Sequence, residues 1–310
     1  MIDVSILIPA YNAEAWIGAA IESALAQQGI STEVIVADDG SSDGTVAAVR
    51  RFGDRVRCEA LPHAGGNAAR NRLLELSRGR WLQYLDADDY LLPGKIERQF
   101  ASLRAGESDV SYGPVWVEIW KEGRAVGRTL QPIDASLDLA TQWILWQLPQ
   151  TGGPLFRREA LERIGGWNQG MPCCQEHELY LRALQAGLKF TRIPDADAGA
   201  VYRIWSEETV CRKDPALVVR TRTRLIDEML AWLEKEGTLR EVHRRAAGTQ
   251  FFEMARTLAR DDVAAASAYF AARGEKGLLR VAGPAAPWRY RAALAIGGFS
   301  FAEKLARIAR

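Results

Sequence analysis

The sequence predicts an α/β fold: a mostly parallel central sheet with helices on both faces, followed by a helical C-terminal extension. Three observations carry that prediction. Short β-rich runs alternate with segments of helical period through roughly the first hundred residues. Two acidic clusters, Asp38-Asp39 and Asp86 to Asp89, fall where strands end, the side of a parallel sheet on which ligands bind. Beyond Pro215 the chain turns rich in Ala, Arg, Leu and Glu, with almost no strand signal.

The elements follow in order. Residues 4–8 form an apolar, β-rich run that stops at Pro9. Residues 13–28 are helical in composition, with Trp16, Ile17, Ala20, Ile21, Ala24 and Leu25 near a period of about 3.6. Residues 33–37 read as a second strand, broken by Asp38-Asp39-Gly40-Ser41, and residues 44–52 as a helix. A third strand is expected over 56–61, a helix over 67–77 after Gly65-Gly66, and a fourth strand over 81–85. Pro93 then reads as the first turn of a helix reaching to about residue 103. Strands and helices alternating in this way argue for a parallel sheet with crossover helices. Residues 111–151 carry Trp116, Trp120, Trp143 and Trp146 among short strand signals. Two Gly-Gly pairs flank a short amphipathic helix in "TGGPLFRREALERIGGWNQGM", and a helix over 175–186 leads to a strand near Phe190.

Composition excludes several classes. Apolar and charged fractions of 48% and 25% suit a soluble globular chain, and a net charge of +1 gives no nucleic-acid signal. Cys58, Cys173, Cys174 and Cys211 form no C-x-x-C pair, and His63, His177 and His243 are scattered, so zinc or thioredoxin-type spacing is missing and reduced cysteines are expected. The N-terminal apolar run is too short for a signal peptide, and no uninterrupted apolar window of about 18 residues occurs. A cytoplasmic location follows as the expectation, with attachment to a membrane face left open.

In "RWLQYLDADDYLLP" an apolar run ends in Asp86-Ala87-Asp88-Asp89. Three carboxylates in four positions repel one another unless a cation binds between them. Oxygen ligands with little His or Cys suit Mg²⁺ or Mn²⁺, shared with substrate phosphates. The other reading is a solvated acidic turn with Asp89 as a helix N-cap. The later Gly and closing Glu of an EF-hand loop are missing. In "ADDGSSDGT", acidic side chains suit a nucleobase imide or a ribose hydroxyl; an Asx-turn with Asp43 capping the next helix fits the same residues. GxxxxGK[ST] is absent, and no GxGxxG follows the first strand.

Taken together, "VSILIPAYNAE", "EVIVADDGSSDGT", "GGNAARNRLLELSRG" and "RWLQYLDADDYLLPGKIERQ" resemble the inverting family 2 glycosyltransferases of the GT-A fold. The likeness is close over about the first 105 residues and looser through "TGGPLFRREALERIGGW" and "CQEHELYLRALQAGLKF" to Val201-Tyr202-Arg203. It implies a Rossmann-like core that moves a sugar from a nucleotide-sugar to a glycan or lipid-linked acceptor, in surface polysaccharide biosynthesis. UDP is favoured for the donor because the family commonly uses it. Residues 1–215 would form the GT-A domain, with 1–105 as its nucleotide-sugar half and 106–215 as its acceptor half, and 216–310 the helical region.

The resemblance also assigns residues. Pro9, Ala10, Tyr11 and Glu14 fall where the first loop meets the nucleotide, with Tyr11 against the base. Asp38 or Asp39 would hydrogen-bond the base, with Asp39 slightly favoured, and Arg70 would approach the nucleotide. Asp86 and Asp88, around Ala87, match the D-x-D motif that binds Mn²⁺ or Mg²⁺ at the donor diphosphate, Asp86 lying toward the ribose; Asp89 is the extra aspartate that often follows. The base in this family is usually the aspartate of an Glu-Asp pair. In "QEHELYLR" that place falls to Glu176, with Gln175 for the usual glutamate and with Glu178 and His177 as competitors. "VYRIWSEETV" resembles the Y-R-x-H segment and brings Arg203 toward the diphosphate, with Trp205 at the histidine position. No Q-x-x-R-W segment follows, which argues against a processive synthase.

From Arg273 onward the chain is basic, with Trp288, Tyr290 and Phe299 among Arg and Lys. Residues 273–310 read first as an ordinary packed helix with solvated arginines, and they also suit peripheral association with an anionic membrane face. Two other readings of the whole chain stand beside transfer: a sugar-nucleotide nucleotidyltransferase, for which the Gly-rich basic N-terminal loop is lacking, and a non-catalytic nucleotide-sugar-binding protein, suggested by the altered "QEH".

Overall fold

The structure is a computed structural model and describes residues 2–103, 108–195, 198–205 and 214–308. The chain divides into a first unit, Met1–Asp134 with Gln147–Ser206, and a second, Ala135–Trp146 with Glu207–Arg310. Cys211 and residues 206–210 of the Y-R-x-H-like segment lie outside the described residues.

In the first unit β1 (Val4–Ala10) leads to α1 (Ile17–Leu25). This helix is shorter than its composition predicts. The backbone N–H groups of Asn12, Ala13 and Glu14 donate to Ser41 Oγ (2.9 Å), Thr45 Oγ1 (2.8 Å) and Asp43 Oδ2 (3.1 Å), so the chain is held in a turn before it winds. β2 (Thr32–Asp38), α2 (Thr45–Arg50), β3 (Arg57–Ala60), α3 (Gly66–Leu76) and β4 (Trp81–Tyr84) then follow in the predicted order.

After β4 the chain departs from its prediction. β5 (Tyr90–Leu91) stays extended because it pairs with β11 (Ala200–Ile204), and Leu92 N–H donates to Gly199 O at 2.7 Å. Gly94 next turns through φ 72°, a left-handed conformation that glycine adopts without penalty, and α4 (Lys95–Ala101) begins behind it. Pro93 therefore lies outside the helix it was expected to open. β6 (Val110–Tyr112), β7 (Trp116–Lys121) and β8 (Arg124–Leu130) come next; past α5 (Leu139–Ile144) of the second unit lie β9 (Leu155–Arg157), α6 (Arg158–Arg163), α7 (Gln175–Gln185) and β10 (Phe190–Arg192).

A seven-stranded sheet runs β10-β6-β9-β4-β1-β2-β3. β1 pairs in parallel with β2 and β4, β2 with β3, and β10 with β6. β9 runs antiparallel to both its neighbours. The order turns back on itself beside β1, so the carboxyl ends of β1, β2 and β4 border a topological switch point. Val4, Ile6, Ile8, Ile17, Ile21 and Val36 lie in the core beneath. A second sheet, β5-β11-β7-β8, goes beyond the sequence reading. Its β7–β8 hairpin turns at Glu122-Gly123, both at positive φ (51° and 74°), the requirement of a type I′ turn.

Lys95 is an unusual core residue. It is 1% exposed, and its ammonium donates to Gln83 Oε1. Burial drives its pKa well below the ordinary lysine value. Gln83 also donates to Gly152 O (2.9 Å), and Gln99 to Ser111 O (2.8 Å) and Gly153 O (3.1 Å), so buried amides fix the loop before β9. Between the lowered pKa and the ordinary one, the unfolded chain holds a Lys95 proton that the folded chain has shed. Stability contributed through this group therefore rises with pH across that window. Urea unfolding at a series of pH values is expected to give a stability that climbs more steeply with pH in the wild type than in Lys95→Met; parallel slopes contradict the account.

The second unit is helical: α5, α8 (Pro215–Lys235), α9 (Glu241–Leu258), α10 (Val263–Glu275) and α11 (Trp288–Ile308). Aspartates start three of these helices. Asp138 accepts from Thr141 N–H (2.9 Å), Asp214 from Leu217 N–H (2.8 Å), and Asp262 from Ala264 N–H and Ala265 N–H (both 2.9 Å). Asp138 also meets His243 Nε2 on α9 at 3.2 Å and accepts from Arg240. This anchor helps place residues 135–146 with the helices, a correction to their sequence assignment within 106–215. Gly298, at φ 72°, breaks α11 into two segments. Among the described residues no helix is long and apolar enough to cross a membrane.

Candidate functional site

Three loops meet at the carboxyl ends of β1, β2 and β4. The first two are laced together. Besides the turn that shortens α1, Asn12 Oδ1 accepts from Ser42 N–H (2.9 Å), and Glu14 Oε2 from Gly44 N–H (2.9 Å). Asp43 Oδ1 accepts from Thr45 N–H (3.0 Å), an Asx-turn at the start of α2. Glu14 and Asp43 thus build the turn. Pro9 and Ala10 end β1, and Ala10 O accepts Asp39 N–H (2.8 Å).

The adjacent aspartates differ. Both are 2% exposed. Asp39 Oδ1 accepts from Ala64 N–H (2.8 Å) and Oδ2 from Gly65 N–H (2.9 Å), with His63 Nδ1 also 3.0 Å from Oδ2. Asp39 therefore fixes the loop before α3. Asp38 Oδ2 accepts from Ser41 N–H (3.0 Å), while its buried Oδ1 has no partner. A buried acceptor left open in this way is costly unless a ligand donor meets it. Tyr11, 50% exposed, stacks on His63 with centroids 4.4 Å apart and planes at 25°.

The loop after β4 holds the second cluster. Asp86 Oδ1 accepts from Arg70 Nη2 at 2.8 Å, and Ala87 is buried between Asp86 and Asp88. Arg70 lies on α3, donates to Asn67 Oδ1 (3.1 Å) and covers the Trp167 ring at 4.8 Å. Burial works against its charge, but Asp86 and Glu176 outweigh it and hold its pKa above the ordinary value. Asp88 Oδ2 accepts from Trp205 Nε1 at 2.8 Å. Burial, and then the charge of Asp86, push the Asp88 carboxyl above its usual range. Asp89 is buried, and its Oδ1 accepts Arg203 N–H at 2.8 Å. Burial and then Asp88 and Asp86 raise its pKa well above the usual value. Asp89 caps no helix: pairing of β5 carries the chain away before α4 begins.

Arg203 is 5% exposed, with Tyr90, Trp16 and Trp120 rings 4.8, 5.1 and 5.5 Å from its guanidinium carbon. It donates to Asp89 O at 3.5 Å. Burial lowers its pKa, with Asp89 opposing. The cation thus sits beside the acidic loop in an aromatic cage.

Glu176 stands in the first turn of α7. Cys174, just before that helix, takes φ 58°, uncommon for a residue with a side chain, and sets where the helix begins. Glu176 is half-buried, and its Oε1 accepts from Thr151 Oγ1 at 2.6 Å. Glu178 is engaged elsewhere: Arg182 Nε and Nη2 donate to its two oxygens (both 2.8 Å), and Asn168 Nδ2 to Oε1 (3.0 Å). His177 is buried, with its ring 6.4 Å from Tyr180. Arg70 bonds Asp86 directly, and the charge of Glu176 on α7 also favours its cationic form.

Asp86 and Asp88 present oxygen donors only, the set suited to a hard divalent cation. Among the described residues no three His, Cys, Asp or Glu side chains converge into a ready-made metal centre. Two carboxylates fit an ion that completes its shell with water and substrate phosphate. Burial first, and the charge of Asp86 second, raise the pKa of Asp88, and a bound cation would oppose both.

Sequence reading missed His63, Thr151, and Trp16 with Trp120. It noted Trp205 only as a departure from a histidine. "LPHAGG" offered a signal for His63, a lone ring two residues before a glycine pair. Thr151 carried none, since its partner lies 25 residues away.

Residues 5–165 match the sequence profile of glycosyl transferase family 2. The chain is 41% identical over 156 residues to the succinoglycan biosynthesis protein ExoO of Rhizobium meliloti (strain 1021), covering 50% of this chain and 41% of ExoO. Over 131 residues it is 37% identical to the Escherichia coli enzyme WfgD, a UDP-Glc:alpha-D-GlcNAc-diphosphoundecaprenol beta-1,3-glucosyltransferase, covering 42% of this chain and 51% of WfgD. The chain thus spans about half or less of the length of these relatives. Among solved structures, residues 1–349 of S. aureus TarS in complex with UDP align with a TM-score of 0.59 at 17% identity, over 100% of this chain and 92% of that one. The mannosyltransferase PcManGT of Pyrobaculum calidifontis, in complex with GDP-Man and Mn²⁺, aligns with a TM-score of 0.57 at 17% identity, over 98% and 86%. At these identities the structural likeness is one of fold, and the central, mostly parallel sheet is that of the GT-A glycosyltransferases. The sequence profile takes in more than half of the 310 residues, and the chain belongs to glycosyl transferase family 2.

Proposed function

We propose that the chain is a metal-dependent, inverting glycosyltransferase. It moves a sugar from a UDP-sugar to a hydroxyl of a glycan or lipid-linked acceptor, in the assembly of a surface polysaccharide. The observation that carries this reading is Arg70, hydrogen-bonded to the D-x-D loop at Asp86 and held above its ordinary pKa in part by the charge of a separate carboxylate, Glu176, on α7. A transferase needs both: one place for the donor diphosphate and another for the acceptor proton. WfgD is named for a UDP-sugar donor and a lipid-linked acceptor, and TarS was solved with UDP; both support the donor choice.

In this reading residues 1–105 serve the donor, and the part of 106–215 within the first unit serves the acceptor. The uracil stacks at Tyr11 and offers its imide N–H to Asp38 Oδ1, while Asp39 holds residues 63–65 behind it. Transfer breaks the bond from the anomeric carbon to a diphosphate oxygen and forms one to the acceptor oxygen. Glu176 takes the acceptor proton, and the electron pair of the broken bond leaves with the nucleoside diphosphate. A single displacement inverts the anomeric configuration. Asp86 and Asp88 would hold Mn²⁺ or Mg²⁺, which when bound offsets the negative charge that grows on the leaving diphosphate. Arg70 orients Asp86, and Arg203 adds positive charge behind the loop.

A thermal-shift screen of UDP-, GDP- and dTDP-sugars with Mn²⁺ tests the donor, because a specific ligand raises apparent stability. Transfer assayed with and without EDTA tests the metal. UDP-sugars are expected to shift the melt and EDTA to stop transfer; binding with no turnover in any metal overturns the enzyme reading. Asp38→Ala is expected to weaken UDP binding by roughly tenfold, the scale of one lost hydrogen bond to a buried charge. Asp39→Ala instead lowers the melting temperature by freeing Ala64 and Gly65. Calorimetric titration with UDP separates the two, and unchanged affinity in Asp38→Ala removes that residue from the base site.

A further inference from the structure

Exposed large apolar side chains are unevenly spread over the described residues. Nine stand out, and five of them are on α11: Trp288 (68% exposed), Ile296 (81%), Phe301 (39%), Leu305 (43%) and Ile308 (84%). Beyond the break at Gly298, Phe301, Leu305 and Ile308 recur at i, i+4 and i+7, the spacing of one helix face. The helix already has its core contacts, because Phe299, Ala302 and Glu303 are buried on its other side. The exposed stripe is therefore a second apolar face.

The exposed charge along residues 276–308 has one sign. Lys276, Arg280, Arg289, Arg291, Lys304 and Arg307 are all exposed. The one acid in residues 276–308 is Glu303, 2% exposed and accepting from Arg256 Nε and Tyr290 Oη, both at 2.7 Å. Among the described residues none of the six bases has a carboxylate partner. Arg307 does donate to Ala259 O and to Arg260 O (2.8 Å), beside the exposed Asp261 and Asp262, which leaves the other five for an external anion.

We propose that the exposed face of α11 seats on an anionic lipid surface. Its apolar side chains enter the boundary between headgroups and acyl chains, and the surrounding bases face lipid phosphates. A second copy of the chain fits less well, because a twofold contact sets the same patch against itself and brings like charges together. The proposal narrows the expectation for residues 273–310 to one helix face. It stands apart from the donor and base assignments, so either can fail alone.

Co-sedimentation of the full chain with vesicles decides the matter. Phosphatidylglycerol mixed with phosphatidylcholine is expected to pellet the chain, phosphatidylcholine alone to leave it in solution, and high salt to release it. The double variants Leu305→Ser/Ile308→Ser and Arg289→Glu/Lys304→Glu are each expected to lose most of the pelleted fraction. Their circular dichroism stays at the wild-type level, because all four side chains are exposed. Pelleting that ignores phosphatidylglycerol, or that both variants retain, overturns the proposal. A dimer in sedimentation velocity that Leu305→Ser/Ile308→Ser splits assigns the face to a second copy and overturns it as well.

Discussion

Glu176→Gln is expected to lower turnover by about 10²- to 10⁴-fold, the usual contribution of a general base, with donor binding intact. The substitution keeps the shape of the side chain and removes its capacity to take a proton. Among the acids of α7, Glu176 is the one with an oxygen to offer. Glu178 spends both oxygens on Arg182, whereas Glu176 receives Thr151 on one oxygen and is half-buried. Thr151 holds the carboxylate in place through a 2.6 Å bond, and the loop bearing it is fixed by Gln83 and Gln99 at Gly152 and Gly153. Thr151→Val should accordingly lower kcat with little change in donor affinity, and Thr151→Ser should restore it, since serine keeps the donating hydroxyl. Single-turnover transfer beside calorimetric donor titration reads both quantities. Near-normal turnover in Glu176→Gln sinks the assignment, and an equal fall in Thr151→Ser and Thr151→Val means the threonine matters for packing alone.

What the sequence made legible follows from the range of the interactions involved. β1 to β4 and α1 to α3 follow local hydrophobic period, and local period is what a chain displays. The acidic clusters after β2 and β4 were legible for the same reason, since a break after an apolar run marks a strand end. β5 was not: a two-residue strand has no period, and it exists because β11 pairs with it more than a hundred residues later. That pairing is why Pro93 stands outside α4. Residues 135–146 read as part of the middle of the chain, yet Asp138 joins them to His243. The choice between Asp38 and Asp39 was closed to sequence because both sit at one strand end. What distinguishes them is the Ala64 and Gly65 N–H groups, which occupy Asp39 and leave Asp38 Oδ1 open.

Asp88→Asn is expected to cut transfer by about 10²- to 10³-fold, the scale on which losing one group that stabilises developing charge is felt. It should also abolish the dependence of UDP binding on Mn²⁺. Asp86 and Asp88 carry like charge two positions apart on a half-buried loop, and burial first and the charge of Asp86 second raise the pKa of Asp88, a cost to its ionised form. A cation between them removes the cost, so donor and ion should bind together and each strengthen the other. The neighbouring residues make the expectation specific. Asp89 spends its oxygen on Arg203 N–H inside the unit, and an asparagine there can accept the same bond. Asp89→Asn should therefore keep its Mn²⁺ affinity. Trp205→Phe removes the indole N–H from Asp88 but leaves a ring to pack near Trp16, which lies 5.2 Å from Trp205 between centroids. It should keep its Mn²⁺ affinity too, because the carboxylate remains. Electron paramagnetic resonance of free Mn²⁺, titrated with each variant and UDP, reads affinity without reference to turnover. If Asp88→Asn binds Mn²⁺ as the wild type does, or Asp89→Asn loses it, the ion is held by other atoms than the Asp86 and Asp88 pair.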